Sequence, residues 1–244
     1  MGAGISEAAI NAVARPFGQD IWTVEGDPVR LLMIPFQTRM TIIRLPGGGL
    51  WMHSPVAPTR ARAVVIKALG ELAHVVAPNK LHNLFVGPWL EAHPRARCWA
   101  APGLAQRCPQ LRVDHELTGE APEAWREVID QVIFRGSAVL EELIFVHKPS
   151  RTLIVTDLIQ NHDPARENWF WRRLKHRNGI LAPRGGVPRD WRATVRDREA
   201  ARRSLARVLE WDFDRVILSH GLCIEEGGHD YVARAFDWLS PVEA

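Results

Sequence analysis

The chain has 244 residues and a mass of 27.5 kDa, enough for one sizeable domain or at most two small ones. With 46% hydrophobic and 24% charged residues and no low-complexity tract, it cannot be a disordered chain, a collagen-like fibre or a disulfide-stapled miniature. The formal charge of +3 neither demands nor forbids an anionic partner, whereas ten Trp against one Tyr, and ten His, point to aromatic-lined surfaces and make a metal site worth seeking.

Residues 1–55 read as strands. Ile21-Trp22-Thr23-Val24 closes on the turn cluster Glu25-Gly26-Asp27-Pro28. Residues 29–34 form a second apolar run stopped by Pro35, and residues 40–45 are short and β-branched. Pro46-Gly47-Gly48-Gly49 then turns into Leu50-Trp51-Met52-His53, a hairpin signature that completes an antiparallel meander. Helix and strand alternate next. Thr59 caps a helix over 60–72 with Ala63, Ile66, Ala68 and Leu69 on its apolar face, and residues 74–77 make a buried strand. A helical stretch over 81–92 is split or shortened by Gly87-Pro88, and a strand at 97–100 leads to a short helical segment near 104–107. Strands return at 129–134, 143–147 and 152–156, the last two joined by the tight loop Lys148-Pro149-Ser150-Arg151. Helices follow at 167–176 and 197–211, then a strand at 215–218, the loop Ser219-His220-Gly221 and a helix near 230–239.

This order suits an α/β chain built as a four-layer αββα sandwich, two sheets face to face with helices outside; the pattern alone is also compatible with a three-layer α/β fold. No linker-like break appears, so a single domain over 1–244 is expected, with a helical insertion at about 158–211. Cys98, Cys108 and Cys223 have no CxxC spacing, which indicates a reducing compartment. The absence of a run of about 18 apolar residues excludes an integral membrane segment. Without a basic start followed by an apolar core no secretory signal is expected, and the Arg- and Ala-rich composition looks bacterial. A cytoplasmic location is therefore expected.

The candidate polar residues sit where strands end. Leu153-Ile154-Val155-Thr156-Asp157 delivers a carboxylate, and Val216-Ile217-Leu218-Ser219-His220 delivers an imidazole in the same way. Residues 74–83 end in the polar loop Asn79-Lys80-Leu81-His82-Asn83. Strand ends facing one sheet edge are where open α/β folds build sites. His82, Asp157 and His220, converging there, could hold one divalent metal, with zinc the first choice for such donors. Each also has a plainer reading: Asp157 as a helix cap, His220 as a turn residue, His82 as a backbone-bonded start of a helix. His53, at the end of its strand, is a candidate proton shuttle or extra ligand, or an edge-strand histidine bonded to backbone. His147 reads as structural. His74, His93, His115, His162, His176 and His229 carry no motif, and most are expected to be solvated.

The insertion interleaves aromatics with cations in Asn168-Trp169-Phe170-Trp171-Arg172-Arg173-Leu174-Lys175-His176-Arg177. Residues 157–215 hold fourteen Lys+Arg against nine Asp+Glu, a local excess of positive charge on a slightly acidic remainder. Such a helix can rest on a membrane surface, stack on single-stranded nucleic acid or cover a site. The plainer reading buries Trp169, Phe170 and Leu174 while the Arg and Lys stems snorkel. As a cover, it would supply Trp169, Trp171 and Arg172 to an anionic or aromatic small molecule, together with Asn79 and Asn83; nucleic acid is not the expected partner.

The succession of landmarks resembles the metallo-β-lactamase superfamily over most of the chain. Leu50-Trp51-Met52-His53-Ser54-Pro55 falls at its early strand, Ala77 to Asn83 at its His-x-His-x-Asp-His loop, Phe145 to Asp157 at the hairpin ending in the bridging Asp, and Leu218-Ser219-His220-Gly221 at the last ligand His. Ile34-Pro35-Phe36-Gln37-Thr38-Arg39-Met40-Thr41, Phe134-Arg135-Gly136-Ser137 and Trp211-Asp212-Phe213-Asp214-Arg215-Val216-Ile217 are similar to a bacterial branch of unassigned function. The departures bear on function. The His-rich loop retains only His82 beside Asn79 and Asn83, with His82 standing at either the Asp or the last His position. The middle ligand His has no counterpart near residues 135–140, and Glu141 and Glu142 are the nearest candidates. The resemblance thus implies the αββα fold with a degenerate metal site, non-catalytic or ligand-binding. The alternative is a metal-assisted hydrolase with a mononuclear site acting on an ester, amide, lactone or phosphoester.

Overall fold

A computed structural model describes residues 5–31 and 33–240. The chain divides into two compact units, Met1–Val29 with Gln37–Leu117, and Arg30–Phe36 with Thr118–Ala244. No described helix is long and apolar enough to cross a membrane.

The first unit runs α1 Glu7–Asn11, β1 Arg15–Gly18, β2 Ile21–Leu31, β3 Ile34–Arg44, β4 Gly49–His53, α2 Arg60–Leu69, β5 Glu71–Ala77, α3 Val86–Ala92, β6 Arg97–Ala100, α4 Leu104–Arg107 and β7 His115–Glu116. The seven strands form one sheet in sequence order. β1 with β2 and β3 with β4 pair antiparallel, while β4, β5, β6 and β7 run parallel. The expected turn at Glu25-Gly26-Asp27-Pro28 lies inside β2. Gly26 is there for close approach, because a Cβ would collide with Thr38 and Val56, and Thr38 Oγ1 donates to Asp27 O at 2.9 Å. Thr59 caps α2 as expected, its hydroxyl accepting from Arg62 N, but the helix stops at Leu69. A Cβ on Gly70 would come within 2.7 Å of Gly48 O, so the chain turns into β5 at that glycine. α3 starts at Val86, which puts Gly87 and Pro88 in its first turn, where a missing N–H costs nothing. Val65, Ile66 and Leu69 of α2 and Trp89 and Leu90 of α3 pack on Met40, Ile42, Leu50, Met52 and Val75 of the sheet. Trp89 Nε1 donates to Val56 O at 2.7 Å, so the buried indole leaves no polar debt.

The second unit carries β8 Ile129–Phe134, β9 Glu142–His147, β10 Thr152–Val155, α5 Trp169–Asn178, α6 Arg189–Ala193, α7 Arg198–Leu209, β11 Arg215–Leu218 and α8 Gly228–Ala235. Its sheet order is β11-β10-β9-β8. β8, β9 and β10 form an antiparallel meander, and β10 pairs parallel with β11. A parallel pair needs a long crossover, supplied here by residues 156–214 with α5, α6 and α7. Ala201 and Val208 of α7 and Val232 of α8 close over Phe134, Ile144, Val146, Leu153, Val155 and Val216. The short α6 falls between the two helices expected in this stretch; at five residues it is too brief to show a helical period.

α5 is turned opposite to the plainer expectation. Its buried residue is Lys175, while Trp169, Phe170 and Leu174 are exposed. Lys175 Nζ donates to Pro35 O at 2.9 Å and Glu167 Oε1 at 2.6 Å, and lies 3.2 Å from His162 Nδ1. An ammonium so fully matched tolerates burial that a bare one would not.

Candidate metal centre

In the second unit, Val155 of β10 stands beside Leu218 of β11 in the parallel register. Asp157 and His220 therefore leave the sheet at equivalent points, each two residues past the paired position. His220 Nε2 lies 3.1 Å from Asp157 Oδ1, which binds the two into a carboxylate–imidazole pair. Glu142 opens β9 on the other side of β10. Its Oε1 accepts from Thr156 N at 2.7 Å, and its Oε2 accepts from Asp157 N at 2.7 Å and Leu158 N at 3.2 Å. Burial first, and the Asp157 charge second, push the Glu142 carboxyl up to about 7. Glu142 is thus committed to holding the strand end that presents Asp157. Glu141 faces outward and pairs with Arg135 at 3.5 Å.

Around His220 the backbone is clasped to residue 161. Asn161 N donates to His220 O at 3.0 Å, Leu222 N donates to Asn161 O at 2.8 Å, and Asn161 Nδ2 donates to Leu222 O at 3.1 Å. Gly221 sits at φ +101°, and a Cβ there would strike the Asn161 carbonyl. His162 is a correction to the sequence reading: it is fully buried, not solvated. Its ring lies nearly parallel to that of His220 with centroids 6.4 Å apart, and Phe36 meets His220 edge-on at 5.3 Å. His162 Nε2 lies 3.0 Å from Gln160 Oε1, and Lys175 approaches its Nδ1, which fixes a neutral ring protonated on Nε2. Burial first, then the charges of Lys175 and His220, lower its pKa to about 2. The polar run Gln160-Asn161-His162-Asp163 following Asp157 was the available signal for this cluster.

In the first unit, His53 ends β4 opposite Val76 in the parallel register. It is fully buried and stacked on Trp51 with centroids 5.5 Å apart. Burial, then the neighbouring His82, lowers its pKa to about 3, so it is neutral at physiological pH. Ser54, at φ +51°, donates its backbone N–H to Val76 O at 3.0 Å and brings its Oγ within 2.6 Å of His82 Nδ1. That contact fixes the His82 ring and makes Nε2 the atom suited to an ion. The loop ahead of His82 is self-capped: Asn79 Oδ1 accepts from Leu81 N at 2.8 Å and His82 N at 3.0 Å, and Asn83 Nδ2 donates to Lys80 O at 2.8 Å. His147, read as structural, is buried with its Nδ1 at 2.7 Å from Ser150 Oγ.

Of the expected pocket residues on α5, Trp169 and Arg172 are exposed and Trp171 is half-buried. Trp169, Phe170 and Trp171 form a run of edge-to-face rings, with centroids 6.0 Å and then 5.0 Å apart.

A family model described as a domain of unknown function, DUF4336, matches residues 18–165. The chain belongs to this family. Among solved structures it is similar to the metallo-β-lactamase DIM-1, with a TM-score of 0.61 and 13% identity over 93% of this chain and 97% of that one. It is similar also to the metallo-β-lactamase FIM-1 from Pseudomonas aeruginosa in its mono-zinc form, with a TM-score of 0.62 and 11% identity over 94% and 96%. A putative diflavin flavoprotein fragment from Nostoc sp. PCC 7120 gives 0.61 and 12% identity over 93% and 94%. Among curated proteins no sequence relative matches.

The DUF4336 chain therefore has the metallo-β-lactamase fold, as the resemblance implied. Of the expected ligands of the DUF4336 chain, His82 belongs to the first unit and Asp157 and His220 to the second, and each offers a ligand atom of a kind that a metal ion takes. Two imidazoles and a carboxylate suit zinc, and the Ser54 contact to His82 is the sort of outer support that zinc-binding histidines have. Neutral amides are poor zinc donors, and those of Asn79 and Asn83 are already bonded to backbone.

Proposed function

We propose that this chain is a metallo-β-lactamase-fold protein with a degenerate metal centre that binds a small-molecule ligand. The centre takes one divalent ion at most, zinc by donor chemistry, through His82, Asp157 and His220. The observation that carries this reading is how the residues at the missing ligand positions are occupied. Asn79 is spent on the N–H groups of Leu81 and His82, and Glu142 on those of Thr156, Asp157 and Leu158. FIM-1 in its mono-zinc form supports a single ion as a state that this fold can hold.

The test is metal content by elemental analysis after purification without chelator. Wild type should hold no more than one equivalent of zinc, and Asp157→Ala should hold none. Two equivalents in wild type would overturn the reading.

A second reading, a mononuclear metal-assisted hydrolase, is favoured by the intact Asp157–His220 pair and by the Ser54-oriented His82. A bound zinc would supply Lewis acidity toward a carbonyl or phosphoryl oxygen. His53, neutral and buried near His82, would be the candidate proton carrier. Chelator-sensitive turnover of an ester, amide, lactone or phosphoester, lost in Asp157→Ala, separates this reading from the first.

A further inference from the structure

Helix α5 has its polarity reversed. Lys175, 2% exposed, is its buried anchor, and Glu167 neutralises that charge internally at 2.6 Å. Trp169, Phe170 and Leu174 face outward at 73%, 51% and 42% exposure. Monomeric surfaces rarely leave adjacent aromatics in water without a use. The helix is firmly held in this orientation: Asn168 Oδ1 accepts from Trp171 N at 3.0 Å at one end, and Gly179 closes the other at φ +76°.

The charge on this face is of one sign. Arg172, Arg173 and Arg177 are exposed, α5 contains no carboxylate, and the neighbouring Asp163 already faces Arg166 at 3.8 Å. Trp169, Arg173 and Arg177 recur at four-residue spacing, as do Phe170 and Leu174, so rings and guanidinium groups share one outer surface. The exposed Met33 lies two residues from Pro35, whose carbonyl is bonded to Lys175, so a further apolar side chain belongs to the segment tied to this helix.

We propose that the outer face of α5 docks on the surface of a membrane carrying anionic lipid, with Trp169 and Phe170 at the headgroup boundary and the three arginines on lipid phosphates. Trp and Phe beside Arg is the composition of interfacial helices, and the charge is complementary to an anionic leaflet. A second copy of the chain is the poorer occupant, because a two-fold pairing of this face would set arginines against arginines.

The experiment is co-sedimentation of the full chain with vesicles of phosphatidylcholine alone and of phosphatidylcholine with phosphatidylserine. Binding is expected on the second vesicles only, falling with salt. Arg173→Glu or Arg177→Glu should weaken it by at least about fivefold each. Trp169→Ser with Phe170→Ser should abolish it without lowering the melting temperature, since both side chains are exposed. Absence of binding to the anionic vesicles, or binding that survives both kinds of variant, would overturn the proposal. So would tighter binding to a single-stranded oligonucleotide, or a dimer in sedimentation that the Trp169→Ser change dissolves.

Discussion

The Glu142 carboxylate accepts the backbone N–H of Asp157 at 2.7 Å, across the antiparallel pairing of β9 with β10. The same carboxylate holds Thr156 and Leu158, so one side chain fixes the three residues at the end of β10. Glu142→Gln removes the charge and leaves a single carbonyl oxygen for three donors. It should cost about 1–3 kcal/mol of stability, seen as a lower midpoint in urea unfolding. Because outer-shell partners of metal ligands typically contribute 10–100-fold in affinity, zinc titration should show a loss of about that size in the same variant. An unchanged midpoint would mean that the bonds to Glu142 do not brace the loop.

Lys175 and Glu167 are a buried ion pair, with side chains 2% and 5% exposed. Removing one partner leaves the other charged and uncompensated. Lys175→Met should therefore destabilise the fold by about 3–5 kcal/mol. Adding Glu167→Gln should return part of that loss, since no bare carboxylate then remains. Chemical denaturation of the two single variants and the double one measures the coupling; purely additive losses would show that the pair does not act as a unit.

His53 takes up its proton near the ordinary histidine range in the unfolded chain, but only near about 3 in the fold. Between those values the unfolded state binds more protons, so stability should fall as the pH drops from about 6.5 towards 3, at up to about 1.4 kcal/mol per pH unit. Burial first, then the charges of Arg97 and His115, lowers His74 to about 4, which adds a similar slope over a narrower window. His53→Gln and His74→Gln should each flatten the acid limb of a melting-temperature profile. Curves parallel to wild type would show that these two histidines do not carry the acid sensitivity.

Gly221 follows His220 at φ +101°, with the Asn161 carbonyl where a Cβ would go. Gly221→Ala combines backbone strain of about 1–3 kcal/mol with a collision, and the closing loop must shift to relieve it. The expected result is a lower melting temperature together with changed His220 imidazole signals in NMR spectra. Unperturbed spectra would show that the loop yields without moving the histidine.

The strands that end in Asp157 and His220 were legible because both are short apolar runs cut off by a polar residue, and their bounds agree within a residue with residues 152–156 and 215–218. The long β2–β3 pair was not legible. Glu25-Gly26-Asp27-Pro28 has turn composition, and only the nearness of Thr38 and Val56 explains its glycine in a strand. His162 was missed because its importance comes from burial beside His220 and from Lys175 thirteen residues away, neither of which a local pattern encodes. The orientation of α5 failed for the same reason. Hydrophobicity assigns Trp169 and Phe170 to the interior and Lys175 to water, and an internal acceptor set reverses that choice. Glu142 is legible as a carboxylate near a missing ligand, but its hydrogen bonds to residues 156–158 follow only from strand register.

The parallel pairing of β10 with β11 also sets the order in which this centre can come into being. The meander of β8, β9 and β10 is local and can close early, carrying Glu142 and Asp157 with it. His220 reaches its partner only after the whole crossover has folded back and β11 has docked, a non-local step of the kind that slows folding. Asp157 and His220 stand 63 residues apart in the chain, so the carboxylate–imidazole pair depends on a contact that the local meander cannot supply.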